Sequence, residues 1–102
     1  MKKTTLALVA SISTLTLAPS IASATTAEAP AKVKTCVGCH GQAGHSVVPN
    51  FPVLAGQHAA YLEKQLKDFR DGFRRDATMQ MFAKGLTDKE IKAIAAYYAE
   101  QK

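Results

Sequence analysis

The chain contains two cysteines, Cys36 and Cys39, and they stand three residues apart. A bond between them would close a tiny loop and stabilise little. The staple that a small chain needs must therefore be something both thiols hold. His40 follows directly, giving Cys36-Val37-Gly38-Cys39-His40. Cys-x-x-Cys-His is the sequence that attaches haem. Two thiols add across two vinyl groups of the ring, so the sulfurs must sit a fixed distance apart. The next residue then lies beneath the ring, with an imidazole nitrogen aimed at iron. The tether also places a large apolar disc inside the chain, which supplies a core.

A chain of 102 residues allows one domain. Its start reads as an export signal. Lys2 and Lys3 open it, residues 6–17 are apolar but diluted by Ser and Thr, Pro19 breaks the run, and Ala22-Ser23-Ala24 is a cleavage site. The alternative is a membrane anchor, but a spanning helix needs about 20 apolar residues. Cleavage after Ala24 is expected, leaving residues 25–102 as the domain. Export to the periplasm, with no stable membrane insertion afterwards, is the expected location. Domains of that length commonly need a disulfide, a metal or another staple. Lys plus Arg number 13 against 8 Asp plus Glu, and Lys2 and Lys3 leave with the signal. So small a balance, without a basic stripe and interleaved aromatics, excludes nucleic acid as the expected partner.

No segment alternates like a strand. Residues 25–29 are small and polar. Pro30 suits a first helical turn and predicts a short helix into Cys36. Gly44, Pro49, Pro52 and Gly56 mark residues 42–56 as a loop. A helix is predicted over residues 57–71, with Leu62, Leu66, Phe69 and Phe73 on one face and Gly72 as its stop. Residues 74–84 read as a loop. Thr87 and Glu90 then form a capping box, with Leu86 and Ile91 as a hydrophobic staple. Ile91, Ile94, Ala95 and Tyr98 make the inward stripe of the last helix. The expectation is an all-α fold of about three helices. Long loops in so small a domain must wrap something.

Two other chemistries use cysteines at this spacing. A thioredoxin-like dithiol needs a βαβ setting, and no strand is visible. A structural zinc site needs four ligands, and only His45 and His58 could complete the set, by coincidence. Each of these two reads better as a solvated surface histidine.

From Cys36 to Tyr98 the chain resembles class I c-type cytochromes, and most of all one haem domain of the bacterial periplasmic dihaem proteins and their single-haem relatives. The matching stretches are CVGCHG, PNFPVLAGQ, YLEKQLKDFRDGFR and MQMFAKGLTDKEIKAIAAYYA. The resemblance implies helices enclosing one covalent haem c on Cys36 and Cys39, with His and Met as axial iron ligands. The histidine is His40. The Pro49-Asn50-Phe51 turn would lie beside it, its Pro49 carbonyl accepting the other imidazole N–H. Met79 precedes Leu86 by seven positions, as the methionine ligand does in the family, whereas Met81 precedes it by five. A soft sulfur suits iron in an apolar pocket. Two features depart from the family. One haem motif stands where dihaem proteins have two, and Val33 is the only sizeable apolar residue between Thr25 and Cys36.

Leu54, Leu62, Leu66, Phe82, Ile91 and Ile94 are expected to line the haem. Lys64, Lys67, Arg70, Arg74 and Arg75 could form a docking patch. A solvated helix face with Lys64–Asp68 and Lys67–Asp71 pairs is favoured. The expected function is transport of one electron on a His/Met-ligated haem, not catalysis. A haem subunit of a larger redox enzyme is the alternative. An enzyme or gas sensor with an open sixth position is the more distant one. Redox proteins are the expected partners, with a dimer or an enzyme complex left open.

Overall fold

A computed structural model describes residues 5, 7–20 and 29–102. Residues 7–20 carry no helix or strand, and Leu8, Val9, Ile12, Leu15 and Leu17 are exposed. None of these five side chains enters the core. The Ala22-Ser23-Ala24 site lies outside the described residues. Among the described residues no helix is long and apolar enough to cross a membrane.

The described domain is helical, with no strand. After Pro30, a 3-10 turn over Ala31–Val33 leads into α1, Lys34–His40. A second short turn, Gln42–Gly44, follows. The long helix α2 spans Ala59–Asp71, and Gly72 closes it in the left-handed conformation, φ 85°. Here the helical period ends. Phe73 was expected on the apolar face of α2, yet it is 84% exposed. The left-handed residue swings the chain away before Phe73 can continue the i, i+4 row.

The stretch expected to be a loop contains a helix, α3, Ala77–Ala83. Asp76 starts it: its side chain accepts the Met79 N–H at 2.9 Å, satisfying one of the free donors of the first turn. Among the described residues four α-helices therefore stand where about three were expected. The last, α4, spans Asp88–Ala99. Its capping box is complete. Thr87 Oγ1 accepts from Glu90 N at 3.1 Å, and Glu90 Oε2 accepts from Thr87 N at 2.9 Å.

Packing follows the apolar stripes. Val33, Leu62, Ile94, Ala95 and Tyr98 form one buried cluster. Ile91, Phe69 and Ala83 are buried as well. Helix α2 lies against α3 and α4. Val33, though alone, is only 3% exposed, and its turn meets α4. Two ion pairs tie the surface of α2 as expected or nearly so. Lys64 pairs with Asp68. Lys67 pairs with Glu63 at 2.8 Å rather than with Asp71. Arg70 takes Asp71 instead, and also reaches Asp88 at 2.6 Å and the Leu86 carbonyl at 3.2 Å. Those bonds hold the Asp71 and Asp88 carboxyls below the usual carboxylate range. They also fasten the end of α2 to the start of α4.

The loop after α1 is fixed by Gly44. Its φ is +80°, and its carbonyl accepts from Leu54 N at 2.9 Å and Ala55 N at 3.2 Å. A Cβ placed there would lie 2.7 Å from Tyr98 Cδ1 and 2.8 Å from Ala55 N. Gly44→Ala combines left-handed strain with overpacking against a core ring. It should cost about 2 kcal/mol or more, read as a lowered denaturation midpoint. A wild-type midpoint would show that the loop is not held against α4 as described.

Candidate functional site

Cys36, Cys39 and His40 sit at positions i, i+3 and i+4 of α1, so one helix face carries all three. The two thiols are half-buried and unbonded to each other. Burial pushes the Cys36 thiol up, opposed in part by its contact with Thr35. His40 is buried, and its Nδ1 lies 2.8 Å from the Pro52 carbonyl oxygen. A carbonyl can only accept, so Nδ1 carries the proton and Nε2 keeps its free lone pair. The expected acceptor was the Pro49 carbonyl. The Phe51 N–H bonds the Val48 carbonyl at 3.0 Å. Pro49 therefore sits inside that turn, and the chain leaving it brings Pro52 to the ring.

His40, Cys36 and Cys39 border a cavity of about 430 Å³, within the range of ligand pockets. Of the side chains expected to line it, Leu54, Leu62, Leu66, Phe82 and Ile94 do so. Ile91 does not. It is wholly enclosed in the protein core and forms no part of the wall. Met79 lies on the wall, half-buried. Met81 does not, and is 67% exposed. His45 and His58 are both exposed and away from the cavity.

Some wall residues were not anticipated. Asp76 caps the helix that presents Met79, and an aspartate at that position is a helix-start signal the sequence does carry. Gln57, Gln65 and Arg74 also line the cavity. The Tyr98 hydroxyl is buried on the wall with no hydrogen-bond partner. Burial pushes its phenol well above the usual tyrosine range, with Cys36 adding to the shift.

The arrangement fits haem better than a bare ion. Among the described residues, no group of three or more His, Cys, Asp or Glu is placed to hold a metal by itself. What the walls offer is a single imidazole nitrogen, a thioether sulfur, two thiols on one helix face, and an apolar lining. Nitrogen and soft sulfur suit haem iron. The apolar lining suits the porphyrin.

Known proteins agree with this geometry. The cytochrome c family model matches residues 27–101. Cytochrome c-554(548) of Halomonas halodenitrificans is 48% identical over 73 residues, covering 69% of this chain and 88% of that protein. Cytochrome c4 of Pseudomonas aeruginosa is 47% identical over 72 residues, covering 71% of this chain and 36% of its own length. The solved structure of cytochrome c4 from Acidithiobacillus ferrooxidans superposes with a TM-score of 0.61 at 38% identity, over 64% of this chain and 38% of that one. The chain thus spans most of the first relative and little more than a third of the two cytochromes c4. It belongs to the cytochrome c family, with the all-α fold, the covalent haem c and the electron-transfer task of that family.

Proposed function

We propose that the protein carries single electrons in the periplasm on one haem c, tethered through Cys36 and Cys39 and ligated by His40 and Met79. The observation that carries this reading is that an oriented imidazole and a methionine sulfur border the same apolar cavity as both thiols. When bound, haem supplies an iron that takes up and releases one electron. The residues do the rest. The Pro52 carbonyl holds the His40 ring in one tautomer and raises its basicity as a ligand. Methionine as the second ligand raises the reduction potential. Leu54, Leu62, Leu66 and Ile94 keep water from the ring. On this reading residues 1–24 are removed on export and residues 25–102 form the domain.

A second reading, a haem subunit of a larger redox enzyme, is favoured by one relative. A thiosulfate dehydrogenase electron acceptor of Stutzerimonas stutzeri is 43% identical to this chain over 70 residues, covering 66% of this chain and 32% of that protein. Size-exclusion of a native extract separates a free carrier from a fixed subunit.

Mass spectrometry of protein from a host that matures c-type cytochromes is the test. The expected mass is the 25–102 polypeptide plus one haem that acid–acetone does not strip. A colourless product carrying zinc would sink the proposal.

A further inference from the structure

Among the described residues Arg74 is the one Lys or Arg on the wall of the cavity. The turn that ends α2 puts it there. Phe73 N and Arg74 N both donate to the Asp68 carbonyl, at 2.9 and 3.1 Å. The Gly72 N–H donates to the same carbonyl, and this convergence of hydrogen bonds on one acceptor turns Phe73 outward and folds Arg74 back over α2. The guanidinium carbon then lies 4.6 Å from the centroid of the Phe69 ring. Nη1 donates to Gln65 Oε1 at 2.8 Å. Phe69 and Gln65 themselves line the cavity. The cation is thus oriented by a ring face and an amide, neither of which offsets its charge.

Its neighbours on α2 are each matched by a carboxylate. Lys64 has Asp68, Lys67 has Glu63, and Arg70 has Asp71 and Asp88. Among the described residues Arg74 makes no ion pair. Asp76 also lines the cavity, but its carboxylate is engaged as the cap of α3 and lies beyond ion-pair reach of Arg74. A guanidinium has five N–H donors in a planar fork suited to carboxylates. Gln65 accepts from one of its nitrogens. The cavity that Arg74 borders is one whose occupant, on the haem reading, brings two carboxylates of its own, the propionates.

We propose that Arg74 is a positioning residue that pairs with a haem propionate and holds the reduction potential up. This rests on the haem reading above. The sign follows from Coulomb's law, since a fixed cation favours the state with one more electron. The site is open to solvent, so the effect is screened by salt.

The test is voltammetry of the mature haem protein at low and high salt, on samples shown by mass to carry one covalent haem. Arg74→Gln should lower the midpoint potential, by at least about twice the shift of Arg75→Gln at low salt, and the excess should shrink as salt is added. Arg75→Gln removes the same charge from a neighbour that is not on the wall. Arg74→Lys keeps the charge but loses the fork, and should lie between wild type and Arg74→Gln. If Arg74→Gln does not load haem, Arg74→Lys carries the test and must lie below wild type. Equal shifts for Arg74→Gln and Arg75→Gln overturn the proposal. So does an unchanged potential with slower electron exchange, which would make Arg74 a reader of a partner's carboxylate. A wild-type protein without covalent haem would fail the haem reading instead, so the two failures are distinguishable.

Discussion

Cys36→Ala combined with Cys39→Ala should leave a chain with little fixed tertiary structure. The reason lies in how small the core is. Among the described residues the buried apolar ones are Val33, Leu62, Phe69, Ala83, Ile91, Ile94, Ala95 and Tyr98, two of them alanines. Beside them lies a cavity of about 430 Å³. At roughly 24 cal/mol per Å³, an empty space of that volume corresponds to about 10 kcal/mol. Water entering the open side makes this a ceiling, yet it equals the whole stability of an ordinary domain. Without the tether nothing fills the space. Thermal unfolding followed by circular dichroism should lose its cooperative transition, and most of the helical signal with it. A cooperative transition at near-native helix content would show that α2, α3 and α4 sustain the fold alone.

The parts of the fold legible in the sequence are those set by local rules. The Thr87–Glu90 box is a short-range hydrogen-bond pattern, and α4 begins where it predicts. The 3.6 period gives α2 and the inward side of α4. Period alone does not say what an inward residue meets. Ile91 and Ile94 lie on one stripe, yet Ile94 borders the cavity while Ile91 is closed into the core. Phe73 continued the period on paper, and one backbone angle at Gly72 removed it from the face.

The missed features depend on the path of the chain. Helix α3 has only seven residues, too few for periodicity to stand out, and Asp76 was its one clear signal. Which proline carbonyl reaches His40 depends on how the Val48–Phe51 turn leaves the strip of loop beyond it. Arg74 looked like one of several basic residues on a solvated face. Only the fold-back onto Asp68 shows that it differs from Lys64, Lys67 and Arg70. The thiols and the histidine, by contrast, were legible because their chemistry fixes their spacing. Three neighbours on one short helix need no tertiary information to stand together.

Met79→Ala should abolish the ferric absorption band that reports sulfur–iron bonding, admit cyanide or carbon monoxide to the iron, and lower the reduction potential. Met81→Ala should keep the band and shift the potential only slightly. The helix decides between the two sulfurs. Residues two apart on an α-helix point about 200° away from each other, so α3 can turn only one of them to the cavity. Asp76 fixes the phase. By taking the Met79 N–H it starts the helix at Ala77 and sets Met79 against the wall, with Met81 left 67% exposed. Sequence spacing favours the same residue, since Met79 precedes Leu86 by seven positions. Visible and near-infrared spectra of the two oxidised variants, followed by cyanide titration, make the comparison. If Met81→Ala loses the band and Met79→Ala keeps it, the helix must be rotated by about half a turn in the haem-bound protein. The Asp76 cap would then be broken, because its bond to the Met79 N–H belongs to the present phase.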